Sequence, residues 1–146
     1  MTNQTLEVSI QVLDEDHDVA IAELTEIGIE SFLQNGDLLQ AYGPLLPTGV
    51  RSGLHALDVG TGTAILAIAA CRVGAGSVFA FDNDPVCYEN AVENFARNEV
   101  NDLVTLVEGG PEVIPQRRFD IILANIHLNV IEGMLPDICF AHESAC

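Results

Sequence analysis

The sequence predicts an α/β protein in which a parallel sheet follows a small N-terminal α+β unit. From residue 55 onward, short apolar segments alternate with segments of helical periodicity, an order typical of a parallel sheet with covering helices. Residues 5–13 instead alternate apolar and polar side chains, which indicates a half-buried strand. Residues 44–54 are rich in glycine and proline and are predicted to be the linker between the two units.

The N-terminal unit, residues 1–43, is predicted to run strand, helix, strand, strand. Acidic residues from Asp14 onward suit the positive end of a helix dipole, and an apolar stripe follows that stops at Gly28. Two short apolar segments then flank Asn35 and Gly36. An Asn-Gly pair supplies the positive φ angles of a tight turn, so we expect a hairpin here.

The second unit, residues 55–146, is predicted to contain four parallel strands. The strands are expected at 55–59, 77–81, 103–108 and 119–124, and the helices at 64–73, 85–98 and 128–139. Asp84 and Pro85 form a typical helix start, with aspartate as the cap and proline in the first turn. The buried stripe of that helix is predicted to be Tyr88, Ala91, Val92 and Phe95. The last strand is expected to leave an open edge, through which a homo-oligomer could form.

The strongest indication of a ligand site is the turn that follows the first strand of the second unit. Asp58 stands two residues before Gly60, and Gly62 follows, so that backbone can approach a ligand near the start of a helix. Asp82 ends the next apolar segment, about 20 residues further on, where nucleotide-binding α/β folds hold a ribose diol. Ile65 occupies the third glycine position of the dinucleotide motif, which disfavours a nicotinamide cofactor. These features predict a site for S-adenosylmethionine.

Composition restricts the classes of partner. The chain has 22 acidic residues against five arginines and no lysine, a net charge of −17, which repels nucleic acid and attracts basic macromolecules. Adaptation to high salt would explain the same acidity. No segment approaches the roughly 18 apolar residues of a membrane span, and the polar start lacks a basic signal region, so we expect a cytoplasmic protein without a membrane partner.

The cysteines indicate neither a disulfide framework nor a metal site. Cys71 and Cys87 fall inside predicted helices, and the four cysteines lack paired short spacing, which favours reduced thiols. Cys139, His142 and Cys146 provide only three of the four ligands of a tetrahedral site. We therefore predict no metal.

The second unit resembles the class I methyltransferases, which have a Rossmann-like sheet, and in particular the methyltransferases of bacterial large-subunit ribosomal protein eleven. The resemblance rests on the segment from Asp58 to Ala64, on Asp82-Asn-Asp84-Pro85, on Glu93-Asn-Phe-Ala-Arg97-Asn98 and on Ala124-Asn125-Ile126. Residues 6–10 and 27–32 also resemble that family's N-terminal substrate-recognition domain. Compared with the family, the sheet is expected to be partial, with the last three of seven strands missing.

The resemblance implies a role for each candidate residue. Gly60, Thr61 and Gly62 would contact the methionine part of the cofactor, Asp58 would lie near its amino end, and Asp82 would hold the ribose hydroxyls. Asn125 would line the transfer site as the catalytic residue, orienting a neutral amine of a basic ribosomal protein. Ala64 replaces the family's third glycine, which adds only one methyl group.

Two other functions stay open at this stage. A shortened protein could bind S-adenosylmethionine or a basic partner without turnover. Alternatively, the chain could methylate another small molecule or a nucleic acid, with His127 as the base, although the acidic charge disfavours nucleic acid.

Overall fold

The structure is a computed structural model that describes residues 5–26, 29, 31–44, 53–124, 126, 130–134 and 136. The strands are β1 (Thr5–Gln11), β2 (Ser31–Asn35), β3 (Leu38–Pro44), β4 (His55–Val59), β5 (Ser77–Asp82), β6 (Val104–Glu108) and β7 (Ile121–Ala124). The α-helices are α1 (His17–Glu26), α2 (Ile65–Arg72) and α3 (Pro85–Arg97). Residues 130–134 and 136 are also helical.

The N-terminal strands form an antiparallel sheet in the order β1-β3-β2, in which β2 and β3 make the predicted hairpin. A 3-10 turn at Asp14–Asp16 precedes α1, so the α-helix begins three residues later than the acidic segment suggests. The hairpin between β2 and β3 closes through Gly36 and Asp37, because Asn35 pairs with Leu38 at the end of β2. The positive φ of +57° therefore falls on Gly36, while Asn35 belongs to the strand.

The second sheet is parallel and has the order β6-β5-β4-β7. Its strands lie within two residues of their predicted bounds, because each apolar segment ends in turn residues that stop the strand. After β4 the chain adds β5 and β6 on one side, whereas β7 lies on the other side of β4. This reversal of strand order makes the carboxyl ends of β4 and β7 a topological switch point, the place where open α/β sheets bind ligands.

Apolar residues on the two faces of the parallel sheet form two clusters. On one face the cluster is made of Leu57, Val59, Phe79, Phe81 and Phe119. On the other face, Ala56, Val78 and Ala80 pack with α2 and α3, and the same cluster continues into β1, α1 and β3. Members from the N-terminal unit are Val8, Ile10, Val12, Ala20, Leu24, Ile29, Leu39 and Ala41. The N-terminal unit and the parallel sheet thus share one apolar core.

The inner stripe of α3 differs from the prediction at two positions, because Tyr88 is only half-buried and Val92 lies outside the core. Ala91 and Phe95 are buried as expected, but Val92 is 45% exposed. Asn94 is buried instead, as is Asn98 at the C-cap, so polar side chains occupy part of the helix face that the sequence analysis expected to be apolar. The prediction was wrong because it considered hydrophobicity alone. Hydrogen bonds from Asn94 and Asn98 to other segments also decide which side of this helix faces the core.

The start of α3 agrees with the sequence. Asp84 is the N-cap, its carboxylate accepts a hydrogen bond from the Val86 N–H at 2.9 Å, and Pro85 occupies the first turn. Most of the predicted linker, residues 45–52, lies outside the described residues, and the division into domains stays a prediction. In the described part of the chain, no helix combines the length and apolarity that crossing a membrane requires.

Candidate functional site

A glycine-containing loop, residues 60–64, connects the carboxyl end of β4 to α2 at the switch point of the sheet. Gly60 and Gly62 adopt φ angles of +64° and +54°, a region that side chains with a Cβ atom rarely occupy. A Cβ atom on Gly60 would lie 2.7 Å from Cγ2 of Ile126, just after β7, whereas one on Gly62 would meet only the Gly60 carbonyl at 4.0 Å. Gly60 is thus needed for close packing, while space remains open beside Gly62.

The loop is held by the end of the neighbouring strand β5. The Thr61 N–H donates to the Phe81 carbonyl at 2.9 Å, and the Gly62 N–H donates to Oδ2 of Asp82 at 2.9 Å. The other carboxylate oxygen of Asp82, Oδ1, accepts a hydrogen bond from the Asp84 N–H at 2.9 Å. Asp82, which is 8% exposed, therefore fixes both the loop and the start of α3. Sequence analysis did not anticipate this structural role.

Asp58 is the most deeply buried charged group of the site, at 1% exposure. It lies on central strand β4, paired with Ala80 on one side and Leu123 on the other. Its Oδ2 accepts a hydrogen bond from the Thr61 hydroxyl at 2.7 Å.

Burial raises the pKa of Asp58 from 3.8 to about 7. The hydrogen bonds from Thr61 and from the Ala67 backbone oppose this rise, and the negative charges of Glu23 and Asp82 add to it. Among the described residues, no basic side chain contributes to the pKa of Asp58.

Glu23 reaches the same loop from α1 in the N-terminal unit. Its Oε2 accepts a hydrogen bond from the Thr63 hydroxyl at 3.1 Å, and the Thr63 carbonyl accepts one from Nδ2 of Asn94 at 2.9 Å. Burial raises the pKa of the Glu23 carboxyl, with the Thr63 hydrogen bond acting in the opposite direction. The sequence analysis missed Glu23. Its spacing of three residues from Ala20 on the apolar stripe places it on the inner face of the helix, which could have revealed it.

The negative field extends along the start of α3. Burial raises the pKa of the Cys87 thiol, and the charges of Asp82, Asp84 and Glu23 raise it further.

Three described arginines make contacts away from this loop. Arg72 donates to the Asn98 carbonyl, Arg97 pairs with Glu93, and Arg117 stacks over the ring of Phe119. The arrangement therefore favours a ligand that carries positive charge and has hydrogen-bonding hydroxyl or ammonium groups.

The structure brings together five of the six predicted site residues: Asp58, Gly60, Thr61, Gly62 and Asp82. The hydroxyl of Thr61 is directed to Asp58, so this residue acts within the loop. The sixth, Asn125, lies outside the described residues, as do His127 and the three C-terminal residues considered as metal ligands. Among the described residues, no group of histidine, cysteine and carboxylate side chains is arranged to hold a metal ion.

Comparison with known sequences identifies the family. Residues 38–144 match the family described as Ribosomal protein L11 methyltransferase (PrmA). The chain belongs to this family. The resemblance seen in the sequence is thereby confirmed, and the PrmA match includes both the glycine loop and the strand that carries Asp82.

This chain matches only part of the length of individual relatives in the PrmA family. The ribosomal protein L11 methyltransferase of Chloroflexus aurantiacus is 41% identical over an alignment of 121 positions that covers 66% of this chain and 37% of that protein. That of Chlorobaculum parvum is 45% identical over an alignment of 86 positions that covers 56% of this chain and 30% of that protein. The chain therefore spans about a third of the length of these curated relatives.

Solved structures agree on the fold. The ribosomal protein L11 methylase of Lactobacillus delbrueckii subsp. bulgaricus superposes with a TM-score of 0.58 at 25% identity, covering 88% of this chain and 55% of that one. The Trypanosoma brucei PRMT1 enzyme-prozyme complex with AdoHcy gives a TM-score of 0.53 at 29% identity, covering 63% and 30%. The parallel sheet of this PrmA family member has the Rossmann-like α/β fold of the class I methyltransferases, as the sequence predicts.

Proposed function

We propose that this chain is an S-adenosylmethionine-dependent methyltransferase that modifies amino groups of a basic ribosomal protein. Membership of the PrmA family and likeness to class I methyltransferases support the proposal. The observation that supports it most directly is the buried carboxyl group of Asp58, with its raised pKa, beside the glycine loop at the switch point.

The residues of the loop fit the methionine part of this cofactor. A buried carboxyl group whose pKa is raised to about 7 is stabilised in its ionised form by a neighbouring cation. The ammonium group of the methionine part is such a cation, so Asp58 is assigned to the amino end of the cofactor. Gly60, Thr61 and Gly62 are assigned to the same part, because the space beside Gly62 admits close approach to the backbone.

Asp82 is assigned to the ribose hydroxyls. Each of its oxygens accepts one backbone N–H, from Gly62 and from Asp84, and a carboxylate oxygen has a second lone pair for a hydroxyl donor. Those two hydrogen bonds also fix the orientation of the carboxylate before any ligand arrives. Preorganisation of this kind lowers the entropy that binding must overcome.

When bound, S-adenosylmethionine supplies a methyl group that its sulfonium already activates. The protein then has to align a neutral amine with that group, and little covalent chemistry of its own is required. We assign to Asn125 the orientation of the amine through its side-chain oxygen. Exclusion of water around the amine lowers its pKa, which favours the neutral, nucleophilic form.

The substrate, the location, the division into units and the assembly of the chain belong to the same proposal. The net charge of −17 suits a basic protein substrate, whose encounter rate it raises at modest ionic strength. A cytoplasmic location follows from a ribosomal substrate. Two units, residues 1–43 and 55–146 around a linker at 44–54, would divide substrate recognition from cofactor binding. Association through the edge strand β7 stays part of the proposal as a route to a homo-oligomer.

Isothermal titration calorimetry of the full chain with S-adenosylmethionine and S-adenosylhomocysteine tests the cofactor assignment. We expect the wild-type chain to bind and Asp82→Ala to bind at least about tenfold more weakly, a loss of about 1.4 kcal/mol. Asp102→Ala, at an exposed carboxyl in the turn after α3, is the control and should bind like the wild type. Circular dichroism checks that each variant is folded. No heat of binding at millimolar ligand would refute the proposal.

Transfer of a radiolabelled methyl group to purified ribosomal protein L11 tests the activity. We expect label in the protein acceptor and none in RNA. Cofactor binding without transfer to the protein would instead support the alternative, a protein that binds the cofactor without turnover.

A further inference from the structure

The N-terminal unit contributes a charged side chain to the glycine loop. Glu23 lies on the inner face of α1, next to the buried residues Ala20 and Leu24. Its carboxylate accepts a hydrogen bond from the hydroxyl of Thr63, the residue that follows Gly62 in the loop, at an oxygen-to-oxygen distance of 3.1 Å. The link joins residues 40 positions apart in the chain.

Thr63 is held from two sides. While its hydroxyl donates to Glu23, its carbonyl accepts a hydrogen bond from Asn94 of α3 at 2.9 Å. The loop position that Glu23 contacts is thus fixed in the parallel-sheet unit and offers a stable point of attachment for α1. Removing the charge of Glu23 is therefore expected to change the electrostatic potential at the loop and to leave the position of the loop unchanged.

Glu23 is also close enough to the site to act on it by charge. Its negative charge raises the pKa of both Asp58 and Cys87, which lie on different elements around the loop. Together with Asp58 and Asp82, Glu23 makes a third carboxyl group near the loop. A cation bound there would be attracted by all three.

We propose that Glu23, through its hydrogen bond to Thr63 and its negative charge beside the loop, makes the site prefer the sulfonium cofactor over its demethylated product. This inference rests on the proposed function. S-adenosylmethionine and S-adenosylhomocysteine share their adenosine and amino acid parts and differ by one methyl group and one positive charge. A nearby carboxylate attracts the ammonium group of both ligands, whereas the sulfonium charge adds to the attraction of S-adenosylmethionine alone, so α1 assists exchange of product for fresh cofactor.

The test measures the dissociation constants of both ligands by isothermal titration calorimetry at pH 8 and low salt. We expect Glu23→Gln to weaken binding of S-adenosylmethionine by about three- to tenfold, the effect of one charge across a partly buried site. Binding of S-adenosylhomocysteine, which lacks the sulfonium charge, should weaken by a smaller factor, so that the ratio of the two constants changes. Glu23→Asp, which keeps the charge, should preserve most of the preference.

Glu15→Gln is the matched control, since it removes the same charge from the same unit at an exposed position before α1. It should leave the ratio of the two constants unchanged. Equal weakening of both ligands in Glu23→Gln would show a merely structural role and overturn the inference, as would an unchanged ratio. Absence of any binding by the wild type would overturn the proposed function and this inference with it, so the two failures are distinguishable.

Discussion

Asp58 occupies a position where the parallel sheet would accept an apolar residue. Its neighbours on β4, Leu57 and Val59, are fully buried, and the carboxyl group itself is 1% exposed. Burial of a carboxylate costs free energy that the hydrogen bonds from Thr61 and Ala67 only partly offset. The unliganded protein therefore gives up stability at this residue, in the way that binding sites often do.

Asp58→Asn is expected to stabilise the unliganded protein, increasingly so as the pH rises. In the unfolded chain the carboxyl ionises near its ordinary pKa of 3.8, whereas in the folded chain its pKa is about 7. Between these values the unfolded state has lost the proton and the folded state retains it, so stability falls as pH rises through this window. Asparagine does not ionise, and its advantage over aspartate should grow by on the order of 2 kcal/mol between pH 5 and pH 8.

Urea unfolding at pH 5, 6, 7 and 8 measures this difference. Asp102→Asn, at an exposed carboxyl, is the control and should show no comparable growth. A stability difference between Asp58→Asn and the wild type that is independent of pH would contradict the raised pKa.

Single residues also show where prediction from the sequence succeeds. Asp58, Gly60 and Gly62 lie within five positions of one another, so their meeting at one loop follows from local sequence. The cost of Ala64 could not be foreseen in the same way. Its φ of +70° lies in the left-handed region, so alanine in the family's third glycine position strains the backbone as well as adding a methyl group.

At the scale of elements, the C-cap of α3 connects the parallel sheet to the N-terminal sheet. Asn98, fully buried, accepts a hydrogen bond from the Gln11 N–H at 2.6 Å and donates to the Gln11 carbonyl at 2.8 Å. It also donates to the Asn94 carbonyl at 2.8 Å. One side-chain amide thus satisfies both backbone groups of the last residue of β1. This contact helps to hold the N-terminal unit where α1 reaches the glycine loop.

Asn98→Ala is expected to destabilise the protein by about 2–4 kcal/mol, because the partly buried N–H and carbonyl of Gln11 would lose their partner. Urea unfolding followed by circular dichroism measures the loss. Asn101→Ala, in the exposed turn that follows, should change stability by less than about 0.5 kcal/mol. A similarly small effect at Asn98 would show that the N-terminal unit does not depend on this contact.

The buried polar residues on α3 and α1 explain why packing was harder to predict than the elements themselves. Asn94 binds a residue 31 positions away and Asn98 one that is 87 positions away, while Glu23 binds one 40 positions away. Helical periodicity gives only the hydrophobic face of a helix. It cannot indicate that an asparagine or glutamate will turn inward to bind a polar group from a distant part of the chain, so it places Val92 in the core and leaves Asn94 out.

For the whole molecule, the order of elements was the most predictable property. Strands and helices of the parallel sheet follow from apolar segments separated by turn residues, and their alternation predicts the parallel arrangement. The continuity of the core between the two units was not predictable. It depends on which surfaces of β1 and α1 meet α2, and the composition of residues 44–54 gives no information about that contact.

The charge of the whole chain leads to a further prediction about stability. With 22 acidic and five basic residues, like charges repel one another in the folded state more than in the expanded unfolded state. Added salt shortens the Debye length from about 10 Å at 0.1 M to about 3 Å at 1 M and so weakens this repulsion. Stabilisation by salt is expected both for adaptation to high salt and for an acidic surface that steers a basic substrate.

The midpoint of thermal unfolding should therefore rise between 0.1 and 1 M KCl at pH 7.5. A gain of about 1–2 kcal/mol corresponds to roughly 2–8 °C for a chain of this length. Differential scanning calorimetry measures the midpoint, and the same series at pH 4.5, close to the sequence pI of about 4.1, is the control. There the net charge is small and the rise should be much smaller. A midpoint that stays constant or falls with salt at pH 7.5 would contradict this expectation and show that the acidic residues are placed so that their repulsion does not limit stability.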